Sequence, residues 1–313
     1  MKKQSYITAM IAILLLMFLG ACGSDDNSGN STSDAADEGG MELGGKKLTL
    51  GVDSYVSNTS NTYVAKLLLE EIGYDVDINQ TDVGVEYTGL NEGSNDAIVG
   101  GWLPTTHESY WEEYGDNLEK INTVTENVEL SLTVPAYMED INSIKDLADN
   151  TDDIGEKLDW EITGISPGAG EMKIMNEDVM PGYGLDDDWN LTESSGGAMS
   201  AALGDAINNE DPIVVTLWEP HWTYNEYDLK KLDDPKEKFG KPDDVFAIAG
   251  KDFEENHPAA YKFLSQFEIS QKDTQDIMQA IKNDVSEEEA AKDFIAEHPD
   301  LKDKWLEGIE TAG

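Results

Sequence analysis

The chain has 313 residues, of which 65 are acidic and 21 are basic, so its formal net charge at pH 7 is −44. This charge excludes nucleic acid and anionic lipid headgroups as partners that a basic patch would hold. Every basic residue is a lysine, so an anionic ligand group must be bound by lysine, histidine or backbone N–H groups rather than by arginine. The 7 Trp, 12 Tyr and 7 Phe residues predict a folded body, and the length fits two domains.

The first 21 residues have the pattern of a targeting segment. Lys2 and Lys3 precede an apolar run over residues 7–19, and small residues stand just before Cys22. The pattern resembles a bacterial lipoprotein signal peptide, which implies cleavage before Cys22, a lipid on its sulfur and an extracytoplasmic protein anchored to the cell membrane. The alternative is an uncleaved anchor helix. Cys22 is the only cysteine, which excludes a disulfide, and residues 22–45 are typical of a flexible acidic tether.

The hydrophobic pattern of the body predicts alternating strands and helices. A buried strand at 47–52, a polar loop at 53–61, a helix at 63–72 and a strand at 74–78 form a βαβ unit, which indicates parallel strands. Further strands are predicted at 96–100 and 129–134. The pattern restarts with strands at 160–165 and 212–217, a turn at 167–170, and helices at 172–179 and 194–208. About the last 60 residues are predicted to be helical.

Two segments of the chain echo each other. In each one, an apolar strand ends in Trp-x-Pro and continues into a loop with histidine and further aromatic residues; the tryptophans are Trp102 and Trp218. Ligands of open α/β sheets bind outside the carboxyl ends of strands, so both indoles are expected in one cleft. Aromatic faces favour a cation, above all a quaternary ammonium group, which has no N–H to donate. The alternative is that both tryptophans are structural plugs under the loops.

These residues resemble the glycine betaine-binding proteins of osmoprotectant ABC importers. The similarity extends from about Lys47 to Trp305 and is carried by the segments 102–107 (WLPTTH), 168–172 (GAGEM), 218–222 (WEPHW) and 227–235 (YDLKKLDDP). It implies a two-lobed α/β solute-binding protein of the periplasmic-binding-protein type 2 fold. Each lobe is then a mixed, mostly parallel sheet flanked by helices, with the ligand in the interlobe cleft. We expect lobe I at 46–137, lobe II at 138–240, and a return to lobe I with a helical tail at 241–313.

The resemblance also implies roles for individual residues at the ammonium end of the ligand. Trp102 and Trp218 match two positions of the family's aromatic cage around the trimethylammonium group. By spacing, the third cage position falls on Tyr55, where some relatives have tryptophan.

At the other end of the ligand, His107 matches the histidine that binds the carboxylate. Gly170 and Glu171 match the turn whose amides face the same group. A side-chain carboxylate at Glu171 would repel a bound carboxylate, so we expect that side chain to point to solvent.

The remaining candidates are weaker. His221 and Trp222 are possible contacts behind the cage, whereas His257 and His298 each precede a proline and are predicted to begin helices. A zinc site built from His107 and His221 lacks the usual paired-histidine spacing. Residues 164–168 (GISPG) match the Gly-x-Ser-x-Gly elbow of serine hydrolases, but the residue after the serine is a proline, which has no N–H for an oxyanion hole.

The sequence therefore predicts a non-enzymatic, monomeric binding subunit without cofactor or metal. It is expected to capture the zwitterion glycine betaine or an analogue and to deliver it to the transmembrane subunit of an ABC importer. Carnitine, choline, proline betaine and ectoine remain open as ligands, and a surface metal-dependent hydrolase is the alternative of a different class. We hypothesise that the acidity is a halophilic surface, since such surfaces stay hydrated in concentrated salt.

Overall fold

Residues 41–312 are the part of the chain that the computed structural model describes. The predicted signal peptide (1–21), the predicted lipidation at Cys22 and most of the predicted tether (22–45) lie outside these residues. Within residues 41–312, no helix has both the length and the apolar character needed to cross a bilayer.

The strands form one continuous, mixed sheet. Their bounds are β1 (Lys47–Val52), β2 (Asp75–Gln80), β3 (Ala97–Leu103), β4 (Leu118–Pro135), β5 (Glu161–Thr163), β6 (Asn190–Thr192), β7 (Val215–Glu219), β8 (Leu229–Lys231) and β9 (Asp243–Gly250). Their order is β2-β1-β3-β9-β4-β7-β5-β6, and β8 pairs with β4. The βαβ unit that the sequence predicts is present, since β1 runs parallel to both β2 and β3.

The middle of the sheet is antiparallel. The strand β9 pairs in this sense with β3 and β4, and β4 pairs in the same sense with β7 and β8, whereas β5 runs parallel to β6 and β7. The α/β class and the mixed sheet are therefore as predicted. The antiparallel share is larger than expected, because β4 and β9 return through the centre of the sheet.

Helices cover both halves of this sheet. Their bounds are α1 (Val56–Ile72), α2 (Val83–Glu92), α3 (Glu108–Tyr114), α4 (Ile144–Ala148), α5 (Ile154–Lys157), α6 (Gly170–Ile174), α7 (Met180–Tyr183), α8 (Gly196–Asn209), α9 (Thr223–Glu226), α10 (Phe253–Asn256), α11 (Pro258–Leu264), α12 (Gln271–Lys282), α13 (Glu287–Glu297) and α14 (Pro299–Trp305). A π-helical turn at Met175–Val179 joins α6 to α7. The predicted helical tail is present as α10 to α14, and α11 and α14 begin directly after His257 and His298, as predicted.

The start of α1 differs from the prediction. Residues 57–61 were expected in a polar loop, but they form the first turns of the helix and all five are buried. Helical hydrogen bonds and side-chain partners replace water there: Ser60 Oγ donates to the carbonyl of Val56 (2.6 Å), and Asn61 accepts from the Thr274 hydroxyl (2.9 Å). Buried polar groups are tolerated when they are paired in this way.

Of the three apolar cores in the described residues, the smallest packs α2 against β3 and β9, and the other two stabilise the two halves of the sheet. The larger core packs α1 and the tail helices against β1, β3 and β9, and it also contains Trp102 and Trp218. The smaller core lies between the C-terminal part of β4 and the helices α4 and α7. Because Trp102 lies in β3 and Trp218 in β7, the larger core joins the two halves of the sheet.

Candidate ligand-binding site

A pocket lies at the carboxyl ends of β3 and β7. Part of this pocket is open to solvent. All six residues predicted to contact a ligand directly line it: Tyr55, Trp102, His107, Gly170, Glu171 and Trp218. The remaining lining residues are Asp53, Ser57, Asn58, Val83, Thr106, Leu130, Ile165 and Ala169. Segments that are far apart in the sequence therefore converge on one cavity.

The aromatic rings of Tyr55, Trp102 and Trp218 all line the pocket. The rings of Tyr55 and Trp218 meet edge to face, with centroids 5.4 Å apart and an interplanar angle of 81°. The side chains of Trp102 and Trp218 are both buried. The echo between the two Trp-x-Pro segments extends to the backbone, because the peptide bonds before Pro104 and Pro220 are both cis.

The first turn of α1 holds both indoles. The Nε1–H of Trp102 donates to Oδ1 of Asn58 (3.2 Å), and the Nε1–H of Trp218 donates to Oγ of Ser57 (3.3 Å). Sequence reasoning missed Ser57 and Asn58, because their polar segment was interpreted as a loop. The signal that would have found them is a polar run between a buried strand and an apolar helical pattern.

Asp53 stabilises this turn through two hydrogen bonds. Its Oδ1 accepts from the backbone N–H of Tyr55 (2.8 Å), and its Oδ2 accepts from Nδ2 of Asn58 (2.5 Å). Burial raises the pKa of Asp53 to about 7, although both hydrogen bonds oppose the rise. Burial and the nearby Asp53 also raise the pKa of Glu86 well above its usual range.

His107 is a neutral hydrogen-bond donor that lines the pocket. Its Nδ1 lies 3.1 Å from the backbone nitrogen of Trp102 and 3.3 Å from the Tyr87 hydroxyl. A backbone N–H only donates, so Nδ1 is the acceptor and Nε2 carries the proton. Burial lowers the pKa of His107 to about 3, so the ring is uncharged at neutral pH.

The turn before α6 brings backbone amides to the pocket. The first N–H groups of a helix have no partner within the helix, so those of Gly170 and Glu171 are free to bind an acceptor. Gly170 lies so close to the loop after β3 that a Cβ there would stand 1.9 Å from the carbonyl oxygen of Thr106. The loop is fixed in turn by Asp243, whose carboxylate accepts from the N–H groups of Thr105 (2.6 Å) and Thr106 (2.8 Å).

The prediction that Glu171 points to solvent is wrong. Its side chain is only 2% exposed, and neither carboxyl oxygen has a hydrogen-bond partner within residues 41–312. Burial raises the pKa of Glu171 well above its usual range. The nearby backbone N–H of Leu217 favours the ionised form and so offsets part of this rise in pKa, but its geometry is not that of a hydrogen bond. The prediction failed because it assumed an ionised carboxylate.

His221 and Trp222 lie behind the pocket rather than in its lining. The His221 ring packs edge to face on Trp218 with centroids 4.8 Å apart, and the Trp222 ring lies 5.5 Å from His221. Both line a neighbouring cavity that shares Tyr55 and Trp218 with the pocket. Burial lowers the pKa of His221 to about 3, which makes it a neutral support for the indole.

The residues considered for a serine hydrolase or a metal-dependent hydrolase do not form such sites within residues 41–312. Ser166 belongs to the turn before α6, where its carbonyl accepts from the N–H of Ala169 (2.9 Å). Across residues 41–312, no group of three or more His, Cys, Asp or Glu side chains is arranged to hold a metal ion.

The chain is similar to known solute-binding proteins. A family model for the substrate binding domain of ABC-type glycine betaine transport systems (OpuAC) matches residues 46–297. The chain is 41% identical over 159 residues to the glycine betaine/carnitine transport binding protein GbuC of Listeria monocytogenes serotype 1/2a (strain 10403S). This match covers 50% of the chain and 53% of GbuC, so the chain spans about half the length of this relative.

Solved structures show the same fold. Lactococcal OpuAC, in its closed-liganded conformation with glycine betaine, superimposes with a TM-score of 0.78 at 36% identity, over 83% of this chain and 99% of that one. An ABC-transporter choline binding protein in complex with choline gives a TM-score of 0.78 at 26% identity, over 85% and 93% of the two chains. The fold is that of the two-lobed type 2 periplasmic binding proteins, as predicted.

Proposed function

Because the chain belongs to the family of substrate-binding domains of ABC-type glycine betaine transport systems, we propose that it captures glycine betaine or a related quaternary ammonium osmoprotectant outside the cytoplasm. It then delivers this ligand to the permease of an ABC importer and catalyses no reaction. The observation that carries the proposal is the convergence of three aromatic rings, a neutral histidine and a helix start on one pocket.

The ammonium end of the ligand is assigned to Tyr55, Trp102 and Trp218. A trimethylammonium group cannot donate a hydrogen bond, so its recognition depends on the electron-rich faces of aromatic rings. Each such contact contributes about 2 kcal/mol when it is shielded from water. The indole N–H groups are already bonded to Ser57 and Asn58, which holds the rings in place.

The carboxylate end is assigned to His107 and to the backbone amides of Gly170 and Glu171. These donors are uncharged, and no lysine is among the residues of 41–312 that line the pocket. A zwitterion has no net charge, so the strong negative charge of the protein gives little net attraction. Affinity then comes from placing rings at one end of the ligand and N–H donors at the other.

Binding is proposed to close two lobes around the ligand. Tyr55, Trp102 and His107 belong to the proposed lobe I (46–137, with 241–313), whereas Gly170, Glu171 and Trp218 belong to lobe II (138–240). The bond between Ser57 and Trp218 and the approach of Gly170 to Thr106 cross between these lobes. Hinge closure of this kind is the usual motion of solute-binding proteins. The protein is proposed to act as a monomer that a lipid on Cys22 anchors to the membrane.

A ligand titration followed by tryptophan fluorescence tests the proposal. We expect saturable binding of glycine betaine. Parallel titrations with carnitine, choline and ectoine then show which ligand is bound most tightly. Trp102→Ala and Trp218→Ala each remove a cage ring and should weaken betaine binding by about 30-fold, the equivalent of about 2 kcal/mol. Trp111→Ala, which lies outside the pocket lining, is the control. Unchanged betaine affinity in both cage variants, or turnover with bound metal in the purified protein, contradicts the proposal.

A further inference from the structure

Glu171 is a buried carboxyl group in the pocket to which we assign a carboxylate ligand. Its side chain is buried and lines the pocket, and both of its oxygens lack a hydrogen-bond partner within residues 41–312. Its own backbone N–H belongs to the turn that we assign to the ligand carboxylate. An unpaired polar group in such a place is costly unless something in the bound state satisfies it.

The groups around Glu171 do not neutralise a negative charge. The other titratable residues that line the pocket are Asp53 and Tyr55 near the start of α1 and His107 after β3. Asp53 is already bonded to Tyr55 and Asn58, and His107 is neutral. The β4 and β7 strands and the loop before α6 contribute only uncharged residues to the lining, namely Leu130, Trp218, Ile165 and Ala169. An ionised Glu171 would therefore face a bound carboxylate with no cation between them.

We propose that Glu171 is a specificity-determining residue, which binds as a neutral carboxyl group and donates its O–H to the carboxylate of the bound zwitterion. The inference rests on the proposed function. A neutral carboxyl group removes the repulsion that led us to expect this side chain in solvent. The O–H of Glu171 also adds a third kind of donor beside the imidazole and the backbone amides. Its hydrogen bond to the ligand carboxylate is strong, because the acceptor is ionised.

The proposal makes binding proton-linked. In the proposed open form, water reaches the carboxyl group, so burial does not raise its pKa. Burial in the closed form raises this pKa well above its usual range. On this proposal, binding at a pH between these two pKa values takes up a proton. The contribution to affinity is complete below the open-form pKa and falls by up to about tenfold per pH unit as the pH rises toward the closed-form pKa.

Titration calorimetry with glycine betaine tests this proton uptake. Measurements at pH 6, 7 and 8 in pairs of buffers with different ionisation enthalpies give the number of protons bound per ligand. The wild type is compared with Glu171→Gln, which keeps a hydrogen-bond donor and cannot titrate. Glu171→Val, which has no donor, is the second variant. We expect the wild type to take up about one proton more than Glu171→Gln, since Asp53 contributes equally to both proteins.

The affinities separate recognition from a merely structural role. Glu171→Val should bind glycine betaine about tenfold more weakly than Glu171→Gln, because one hydrogen bond to an ionised acceptor is lost. Choline, which has no carboxylate, should bind both variants equally well.

Equal proton uptake in wild type and Glu171→Gln overturns this inference, as does equal betaine affinity in the two variants. The proposed function fails separately, if the wild type binds no quaternary ammonium ligand at all. Thermal melts of the three proteins verify that each variant is folded.

Discussion

The hydrogen bond between Ser57 and Trp218 gives a quantitative test of the proposed closure around the ligand. The indole Nε1–H lies 3.3 Å from the serine oxygen, and the two residues belong to different proposed lobes. In Ser57→Ala, the indole N–H stays buried in the closed form without an acceptor. In the open form, water can satisfy it. The penalty therefore falls on the ligand-bound state rather than on the folded state as a whole.

The size of the effect follows from the burial of both groups. A buried donor without an acceptor costs about 1–3 kcal/mol, which corresponds to about a 5- to 150-fold weaker Kd. Ser60→Ala is the matched control, because Ser60 is equally buried in the same helix. Its hydroxyl donates to the Val56 carbonyl within α1, a bond that exists in both the open and the closed form.

Isothermal titration of both variants with glycine betaine measures the difference. We expect Ser57→Ala to lose affinity by at least about fivefold with little change in the melting temperature of the free protein. Ser60→Ala should bind within about twofold of wild type, since its bond does not change on closure. Equal losses in the two variants, or no loss in Ser57→Ala, would refute the reasoning.

Three further predictions concern packing, pH and salt. Gly170→Ala must move Thr106 away by about 1 Å, because real Cβ contacts are longer than 3.0 Å, and it should abolish tight betaine binding. Gly168→Ala is the control, since its new Cβ has no atom within 4 Å, and it should bind like wild type. Burial lowers the pKa of His221 to about 3, so the stability that its neutral ring contributes is complete above pH 6.5 and is lost as the pH falls toward 3. As the pH falls over this range, the free energy of unfolding of the wild type should therefore decrease more steeply than that of His221→Asn, by up to about 1.4 kcal/mol per pH unit. Urea unfolding of both proteins measures this difference. If the acidic surface is halophilic, the melting temperature should rise along a salt series as the charge repulsion is screened, and a flat series contradicts that hypothesis.

The sequence was most informative where chemistry restricts the choice of residue. Trp102, Trp218 and His107 stand at strand ends within short, repeated motifs, and the structure brings them to the same pocket. The βαβ unit and the helical tail were predictable as well, because apolar periodicity determines which face of an element is buried.

Other features were not predictable from local patterns. The strand β4 is 18 residues long, but only its end was predicted, since its first part is polar and half exposed. The first turn of α1 was interpreted as a loop, because its buried polar residues are paired through contacts that a linear pattern does not show. The burial of Glu171 was missed because the protonation state of a side chain depends on the tertiary structure around it.

The length of β4 has a consequence for the relative placement of the two tryptophans. Up to Val128 this strand pairs with β9, and from Glu129 it pairs with β7. Both halves of the sheet therefore form hydrogen bonds to the same strand. The change of partner falls next to Asn127, whose φ of 56° is left-handed. Within the sheet, the path from Trp102 in β3 to Trp218 in β7 therefore runs through β9 and through the β4 backbone near this residue. A change in the twist of β4 at this point would change the distance between the two indole rings.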